Sequence, residues 1–430
     1  MAFKVPVVPQ KSNGSFRVYQ SHNASSTTLF EDTRRKPNGN VNENVIDLPR
    51  GGTIVKTPQG DIQFGIPPET IKDSMKLGIT VPTYFVILGE MFDRQVGLNM
   101  AEFEFPAYFN FFCLKKKVTL ICMKDMEQRI RSIFTETLMG PKPEHCMGEA
   151  DHASTLNNSA YPNFREEGYY LDGMRRTLGV DTLVEFKTFN AKQEVILGDA
   201  GDDNSVMIKY EMGNKCYKVF KKKPSVEEEE EAAEGAGTAM ILPMTSKRGI
   251  ALQQERIEIA EIVEKFTYVT SASKKSTSPE LFDPVPFRLP RFGITVLGSS
   301  HGFDPNGNTT GFVIWVNGRG IMVDPPPGSS HALEKLAIPP RFIEGIILTH
   351  CHADHDAGTF QKIMKEQRVN IYTTTTIFNS FMRKYSAISG FDSTFLNSLF
   401  TFKPVKIGEP TRFPDEENGA LFRFYYRLVF

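Results

Sequence analysis

The residues with the clearest chemical potential lie in the segment IILTHCHADHDAG, residues 346–358, where three histidines and two aspartates occupy seven consecutive positions. Neutral imidazole and carboxylate groups are ligands that suit Zn, Fe(II) or Mn. His350 and His352 are two positions apart, so in an extended chain both side chains point the same way and can converge on one ion. Asp354 and His355 follow a turn later. The alternative interpretation is a polar turn that happens to be rich in histidine.

The elements around this segment predict where it lies in a fold. FIEGIILTH (342–350) is typical of a buried strand, so the histidines begin where a strand ends, a usual position for functional residues in layered folds. Upstream, FGITVLGSS (292–300) is typical of a strand that ends in small residues. TTGFVIWVNGRGIMVDPPPG (309–328) predicts two apolar strands joined by a hairpin turn at residues 317–320.

The order H-x-H-x-D-H, preceded by Thr349 and followed by Gly358, resembles the metal-binding loop of the metallo-β-lactamase superfamily. The resemblance extends to residues 298–300, 308–311, Asp324 and Gly328, which is similar to the branch containing tRNA 3′-processing endonucleases and class II cyclic-nucleotide phosphodiesterases. It covers residues 292–430 only. For this region it implies the N-terminal half of an αββα sandwich. With the N-terminal α+β domain predicted from the residue patterns described below, the expected fold class is α+β.

The same resemblance implies roles for individual residues. His350 and His352 would bind one divalent metal ion, and Asp354 and His355 a second. Asp324 would accept the hydrogen bond that orients a ligand imidazole. Asp354 would also be the catalytic proton acceptor for an attacking water. Zinc is the expected metal, in one or two ions, with iron or manganese as alternatives. No other cofactor-binding residue is expected.

The resemblance implies a metal-dependent hydrolase of the phosphodiesterase type. Its substrate would be a phosphodiester, either in a small molecule such as a cyclic nucleotide or in nucleic acid. The chain departs from the family pattern, however, because none of its eight histidines follows His355 and only 75 residues remain after it. We therefore expect an incomplete domain that ends after the strand-like segment ALFRFYYRLVF and binds metal weakly. The alternative function is a non-catalytic binding or scaffold protein with a degenerate form of this fold.

The rest of the chain divides by composition. Residues 1–43 are predicted to be a disordered tail. Residues 44–223 are predicted to form an α+β domain of unknown function, with a hairpin around residues 58–61, a buried strand in PTYFVILG, a helix from near Asp125, and further strands over 182–221. Residues 224–291 are predicted to be an acidic linker, a helix and a connector. The metallo-β-lactamase-like domain follows at 292–430. No internal repeat of useful period is apparent.

Composition excludes several classes of protein. The formal net charge of -1 provides no global basic field for binding nucleic acid or anionic membranes. The five cysteines form no CxxC pair, which argues against a secreted disulfide framework, and no apolar run is long enough to span a bilayer. These features predict a cytoplasmic protein without a membrane partner; they do not predict its oligomeric state.

Weaker candidate sites have simpler explanations. His145, Cys146 and His152 could bind zinc, but they lack an evident fourth ligand and are better explained as a loop. Asp199, Asp202 and Asp203 lack the calcium-loop pattern and are expected in a hairpin turn. The basic runs at 115–117 and 221–223 are typical of solvated strand ends. Cys351, between two predicted ligands, is expected to face the core rather than to act as a nucleophile.

Overall fold

The computed structural model describes residues 44–89, 91–93, 98–99, 101–142, 145, 179–199, 202, 204–212, 216–221, 240–243, 287–366, 369–414, 417 and 419–424. The predicted tail, most of the predicted linker and the last six residues lie outside these ranges. We refer to residues 44–243 as the N-terminal half and to residues 287–424 as the C-terminal half. Both belong to one compact unit that begins at Glu43.

The N-terminal half contains strands and helices in the following order: β1 (Val45–Asp47), β2 (Thr53–Val55), β3 (Ile62–Phe64), α1 (Thr70–Lys76), β4 (Tyr84–Val86), β5 (Phe92–Asp93), β6 (Leu98–Asn99), α2 (Glu104–Tyr108), a π-helix (Phe109–Cys113), β7 (Val118–Cys122), α3 (Lys124–Thr137), α4 (Val180–Leu183), β8 (Val184–Thr188), β9 (Glu194–Leu197), β10 (Val206–Glu211), β11 (Cys216–Phe220) and β12 (Met240–Pro243). The hairpin around residues 58–61, the strand in PTYFVILG and the helix from near Asp125 are confirmed.

Two large sheets and the short pair β5-β6 occur in the described part of the N-terminal half. Among the described residues, six strands form the first sheet in the order β1-β2-β3-β4-β7-β8, antiparallel as far as β3 and parallel from β3 to β8. The antiparallel sheet β12-β11-β10-β9 covers one face of it, and the two share a core that includes Phe64, Ile121 and Tyr217. Strand β12 pairs with β11, although its residues fall in the segment predicted as a linker.

The C-terminal half has the following elements: β13 (Phe292–Gly298), β14 (Gly311–Val316), β15 (Arg319–Val323), α5 (Ser329–Lys335), a 3-10 helix (Pro340–Phe342), β16 (Ile343–Ile347), α6 (Ala353–Glu366), β17 (Val369–Thr373), α7 (Thr375–Ser389), α8 (Ser393–Asn397), β18 (Phe400–Pro404), β19 (Pro410–Phe413) and β20 (Ala420–Arg423). The described part forms a six-stranded sheet in the order β13 to β18, antiparallel as far as β15 and parallel thereafter. The hairpin β19-β20 packs on one face of it. The strands and hairpin turn predicted here are confirmed.

The two six-stranded sheets have the same topology and the same register. Pairing of β2 with β3 aligns Thr53 with Phe64, and pairing of β14 with β15 aligns Phe312 with Val323. The equivalence continues through the parallel strands, where the five-residue ladder of β7 and β8 matches that of β17 and β18. The structure therefore contains an internal repeat that the sequence analysis did not detect.

The sequences of the two halves agree best after the third strand. IQFGIPPETIKDSMKLGI (62–79) and IMVDPPPGSSHALEKLAI (321–338) align without a gap, and each contains a seven-residue helix. The same three positions adopt left-handed backbone conformations in both segments: Gly65 and Asp324, Glu69 and Gly328, and Gly78 and Ala337. Such conformations are uncommon outside glycine, so their shared placement supports a common origin.

Helices fill the space between the two six-stranded sheets. One apolar cluster joins the halves and includes Leu120 and Ile133 from the first and Trp315, Ile346 and Phe381 from the second. Helix α3 packs directly against its equivalent, α7. Two hydrogen bonds link equivalent positions of these helices. Arg129 donates to the backbone carbonyl of Ala387, and Ser380, at the position equivalent to Arg129, donates to the backbone carbonyl of Glu136. The halves are thus related by approximate two-fold symmetry at this helix pair.

Candidate metal centre

The predicted metal loop begins where the central strand of the second sheet ends. Strand β16 runs parallel between β15 and β17, and its residues Gly345–Ile347 are buried. The chain then continues without regular structure through Thr349–His352, and α6 begins at Ala353. The loop therefore lies at the carboxyl end of parallel strands, where ligand sites commonly form.

The structure brings the three histidine rings together. The ring centroid of His350 lies 4.7 Å from that of His352 and 4.2 Å from that of His355. Asp354 Oδ2 lies 3.5 Å from His355 Nε2. One ligand atom each from Asp324, His350 and His355 falls within 4.8 Å of the other two, a spacing that a single cation could bridge.

Asp324 connects the end of β15 to this loop. Its carboxylate accepts hydrogen bonds from the Thr349 backbone N–H at 2.8 Å and from Thr349 Oγ1 at 2.5 Å. Asp324 Oδ2 also lies 3.4 Å from His355 Nδ1. This position is compatible with the predicted role as acceptor for a ligand imidazole, but it equally allows Asp324 to be a ligand itself.

His352 is oriented by the N-terminal half. Its Nε2 lies 3.1 Å from the carbonyl oxygen of Thr137, at the end of α3. Because a carbonyl oxygen only accepts, Nε2 carries the proton, and Nδ1 keeps the lone pair that a metal ion requires. A backbone group more than 200 positions upstream thereby selects the tautomer of a predicted ligand.

Burial controls the protonation of these imidazoles. Removal from water, together with charge repulsion from His352, His355 and Lys384, lowers the pKa of His350 to about 2. Burial also lowers the pKa of His352, against the opposing effect of Asp354. Burial alone would lower the pKa of His355, but Asp324 and Asp354 outweigh it and raise that pKa. Two of the three imidazoles are thus held in the neutral form that binds metal.

The donor set fits a divalent cation. Three imidazoles and two carboxylates meet at the end of one sheet, and nitrogen and oxygen ligands of this kind suit zinc, iron or manganese. Moreover, His355 Nδ1 is buried, and its 3.4 Å separation from Asp324 is too long for a good hydrogen bond. Among the described residues it has no hydrogen-bond partner, so a metal ion bound there would satisfy a buried polar atom that the protein itself leaves unsatisfied.

Gly358 allows helix α6 to pack closely against the segment that follows β15. A Cβ atom at this position would lie 2.2 Å from Ser329 Oγ and 2.4 Å from the carbonyl oxygen of Pro325. The Gly358 N–H donates to that same carbonyl at 2.9 Å. The glycine that follows the histidine motif is therefore required by packing between α6 and the segment after Asp324.

The remaining candidates lie elsewhere. Cys351 is buried, its pKa is raised by desolvation, and its Sγ lies 3.6 Å from the carbonyl of Ile377. His301 accepts from the Phe303 N–H, and His331 lies 3.6 Å from Glu334, so neither joins the cluster. His145 is near Glu136. Cys146, His152 and Asp203 lie outside the described residues.

Four residues that contact the loop from the protein interior were not predicted from the sequence. They are Glu104, Thr137, Asp356 and Lys384. Glu104 and Thr137 come from the other half of the chain, and nothing in their local sequence indicates this contact. Asp356 and Lys384 are fully buried charges, which the helical period of α6 and α7 could have placed on the inner face.

Comparison with known proteins agrees with this geometry. Residues 304–420 match the family model described as the metallo-beta-lactamase superfamily. This segment belongs to the metallo-β-lactamase superfamily. The matched range contains Asp324 and the whole histidine cluster, so the fold predicted for this half is confirmed, and the α+β class holds for the chain. Membership of the superfamily implies binding of divalent metal, for which the cluster provides a candidate site.

Two curated relatives match most of the chain. One is the "cGMP-dependent 3',5'-cGMP phosphodiesterase A" of Dictyostelium discoideum. It is 36% identical over an alignment 510 residues long, and this alignment spans 92% of this chain and 54% of the relative. The other is the "cAMP/cGMP-dependent 3',5'-cAMP/cGMP phosphodiesterase B" of the same organism, 32% identical over 402 residues, which cover 87% of this chain and 35% of the relative. The chain thus spans about half the length of the first relative and about a third of the second. Both alignments extend well beyond the metallo-β-lactamase segment.

Two solved structures are similar to less than a third of the chain. A putative metallo-beta-lactamase from Thermotoga maritima is 20% identical with a TM-score of 0.22, and covers 30% of this chain and 70% of its own. A diphosphatase of the PhnP family is 18% identical with a TM-score of 0.21, and covers 28% of this chain and 52% of its own. Separately, among the helices in the described ranges, none is long and apolar enough to cross a membrane.

Proposed function

We propose that the chain forms the metal-binding part of a phosphodiesterase that hydrolyses a cyclic nucleotide or a related phosphodiester. The observation that carries this proposal is the convergence of His350, His352 and His355 with Asp324 and Asp354 at the end of β16. The names of the two relatives that align along most of this chain support the substrate class. Zinc is the proposed metal, because an imidazole-rich set with neutral rings suits it well.

The proposed roles are those that the resemblance to the superfamily implies for each residue. His350 and His352 would hold one ion, and Asp354 and His355 a second if two are bound. When bound, a divalent ion lowers the pKa of coordinated water and neutralises charge on a phosphoryl oxygen. Asp354 would accept a proton at Oδ2, close to His355 Nε2, while Asp324 holds the loop through Thr349.

We also propose that the protein is cytoplasmic, with an N-terminal α+β domain, predicted at 44–223 and extended by strand β12, and a metallo-β-lactamase-like domain at 292–430. The four described cysteines, Cys113, Cys122, Cys216 and Cys351, are free thiols, which supports a reducing compartment. Nucleic acid remains an alternative phosphodiester substrate. A scaffold protein that binds no metal is the alternative function.

The test combines metal content with turnover. We expect elemental analysis of the purified chain to find about one or two zinc ions per molecule, and His352→Ala to weaken zinc binding by at least about 100-fold. Turnover should be measured with bis(p-nitrophenyl) phosphate, 3′,5′-cyclic nucleotides and a single-stranded oligonucleotide. His331→Ala is the matched control, since His331 lies on α5 beside Glu334 and outside the cluster. Absence of both bound metal and turnover in the wild-type chain would support the scaffold instead.

A further inference from the structure

A buried charged cluster lies directly beneath the metal loop. We define the subloop cluster as Glu104, Asp356, Lys384 and Tyr385. Lys384 Nζ lies 2.9 Å from both carboxylate oxygens of Asp356 and 3.1 Å from Glu104 Oε1, and the Tyr385 hydroxyl donates to Asp356 Oδ1 at 2.8 Å. The charged groups of the cluster are almost completely shielded from solvent.

The subloop cluster binds the backbone of the metal loop at two peptide groups. Lys384 Nζ donates to the carbonyl of Cys351 at 2.9 Å, and the Ala353 N–H donates to Glu104 Oε2 at 3.1 Å. These two groups lie on either side of His352, whose ring is held by Thr137. The position of His352 is thus determined by three hydrogen bonds, two of which come from the N-terminal half.

A purely structural core would not need these charges. Buried ion pairs often stabilise a folded protein no better than apolar side chains of similar size. Stability alone therefore does not explain why these charges are buried here. Here every charged member of the cluster either lies next to the predicted ligands or bonds to the backbone between them. Metal affinity depends strongly on such supporting groups, since a ligand held in place loses little freedom when the ion binds.

The half that supplies Glu104 has no metal loop of its own. Strand pairing makes Val86 equivalent to Ile347, so Leu88 and Gly89 occupy the positions of Thr349 and His350. No histidine occurs between Val86 and Val118. The N-terminal half is therefore a copy of the fold that lacks the ligands and instead contacts the loop of the other copy.

We propose that Glu104 and Lys384 are positioning residues for the metal loop, and that the N-terminal half serves as an intramolecular partner that completes the metal centre. This inference rests on the proposed metal-dependent function. Glu104 fixes the first residue of α6, Lys384 fixes the peptide between His350 and His352, and the two residues are joined by their own ion pair.

The experiment compares Glu104→Gln and Lys384→Met with a control substitution on α6, the helix that follows the metal loop. Lys362→Met removes another fully buried lysine, which pairs with Glu366 near the far end of α6 and touches none of the predicted ligands. Zinc affinity is measured by chelator competition, and hydrogen exchange of residues 349–356 is measured in the metal-free protein. Glu104→Gln leaves Lys384 paired with Asp356, so this variant strands no buried charge.

We expect Glu104→Gln and Lys384→Met to weaken zinc binding by about 10- to 100-fold and to accelerate exchange in the loop of the metal-free protein. Lys362→Met should lower the melting temperature but leave zinc affinity within about threefold of wild type, since its contacts lie outside the loop. If Glu104→Gln fails to fold, Ala353→Pro removes the same hydrogen bond without changing any charge, at a first-turn position where proline is tolerated.

The outcomes separate this inference from the proposed function. If the wild-type chain binds zinc and the Glu104 or Ala353 variants bind it equally tightly, the positioning role is wrong while the function stands. If the wild-type chain binds no zinc, the proposed function fails. In that case hydrogen exchange of residues 349–356 in the metal-free protein is the only test of the positioning role. Unchanged exchange in Glu104→Gln would overturn that role.

Discussion

Glu102 shows how a single carboxyl group can oppose the stability of the protein that contains it. The side chain is buried beside the subloop cluster and accepts a hydrogen bond from the Glu69 N–H at 3.1 Å. Burial raises the pKa of Glu102 well above its usual value, and the nearby carboxylates of Glu69, Glu104 and Asp354 raise it further. The folded protein therefore retains a proton that the unfolded chain releases.

The pH dependence of stability should reveal this proton. Below the unfolded pKa, Glu102 is neutral in both states, and as the pH rises through the folded pKa the wild-type protein loses stability. Glu102→Gln keeps an acceptor oxygen without the charge, so we expect its free energy of unfolding to exceed that of wild type at pH 8. The difference should shrink toward pH 5. Urea denaturation at both pH values measures it.

A surface carboxylate provides the control for this substitution. Glu409 is exposed, with only a long contact to Lys406. Glu409→Gln should change the free energy of unfolding little at either pH. Equal stability of wild type and Glu102→Gln at pH 8 would contradict the buried, protonated state of Glu102.

At the scale of elements, the contact between α3 and α7 joins the two halves through polar as well as apolar groups. Glu136 is buried near the end of α3 and accepts from Arg383 Nε at 2.6 Å, Arg383 Nη2 at 2.8 Å and Ser380 Oγ at 2.7 Å. Arg129, about two turns earlier on the same face of α3, donates to the last carbonyls of α7. These bonds fix both the register and the direction of the helix pair.

Loss of Glu136 should weaken this contact measurably. We expect Glu136→Ala to reduce the free energy of unfolding by about 2 kcal/mol, because it leaves Ser380 and part of Arg383 without their acceptor. Glu127→Ala is the control on the same helix, since its pair with Arg131 is partly exposed and should contribute less than about 1 kcal/mol. Chemical denaturation of both variants gives the comparison. Equal losses would mean that Glu136 acts only as a surface charge.

The elements also show where sequence reasoning succeeded and why it stopped. Helix α3 could be predicted because Ile130, Ile133 and Phe134 recur at helical spacing, and all three are buried in the structure. The aromatic segment before β7 gave no such signal, because its helix is short and continues into a π-helix with aromatic residues on several sides. Local sequence patterns indicate which residues are buried, but they do not indicate which distant element packs against those residues.

The same limit applies to the site. The histidine motif and Asp324 could be predicted because they are local and their chemistry is specific. Glu104 could not, since its role depends on contact with a loop about 250 positions away. The repeat was hidden for a related reason: equivalent strands keep their pairing and backbone conformation, while only a few residues of Ile62–Ile79 and Ile321–Ile338 remain identical.

At the scale of the whole molecule, the two halves share one apolar core. Residues such as Ile133 and Leu120 on one side and Phe381 and Ile346 on the other belong to the same cluster. Either half alone would expose its part of this cluster to water, at roughly 25 cal/mol for each Å² of apolar surface. The core therefore requires both halves for its stability, whatever the segment between them does.

Division of the chain should test this dependence. We expect two co-expressed pieces, residues 1–249 and 280–430, to co-purify through a tag on either one, whereas each piece expressed alone should aggregate. Ile133→Asp, in the shared core, should abolish co-purification, while Ile196→Asp, at an exposed position of β9, should not. Two soluble, monomeric pieces that do not co-purify would contradict a shared core.

The approximate symmetry of α3 and α7 bears on how the protein behaves on dilution. Two separate copies joined by such a contact would dissociate as their concentration fell, and any site built across the contact would be lost with them. Here the copies are parts of one polypeptide, so each meets the other at an effective concentration set by the connecting chain rather than by the cell. A metal centre that depends on Glu104 and Thr137 would accordingly remain assembled in a protein present at only a few molecules per cell.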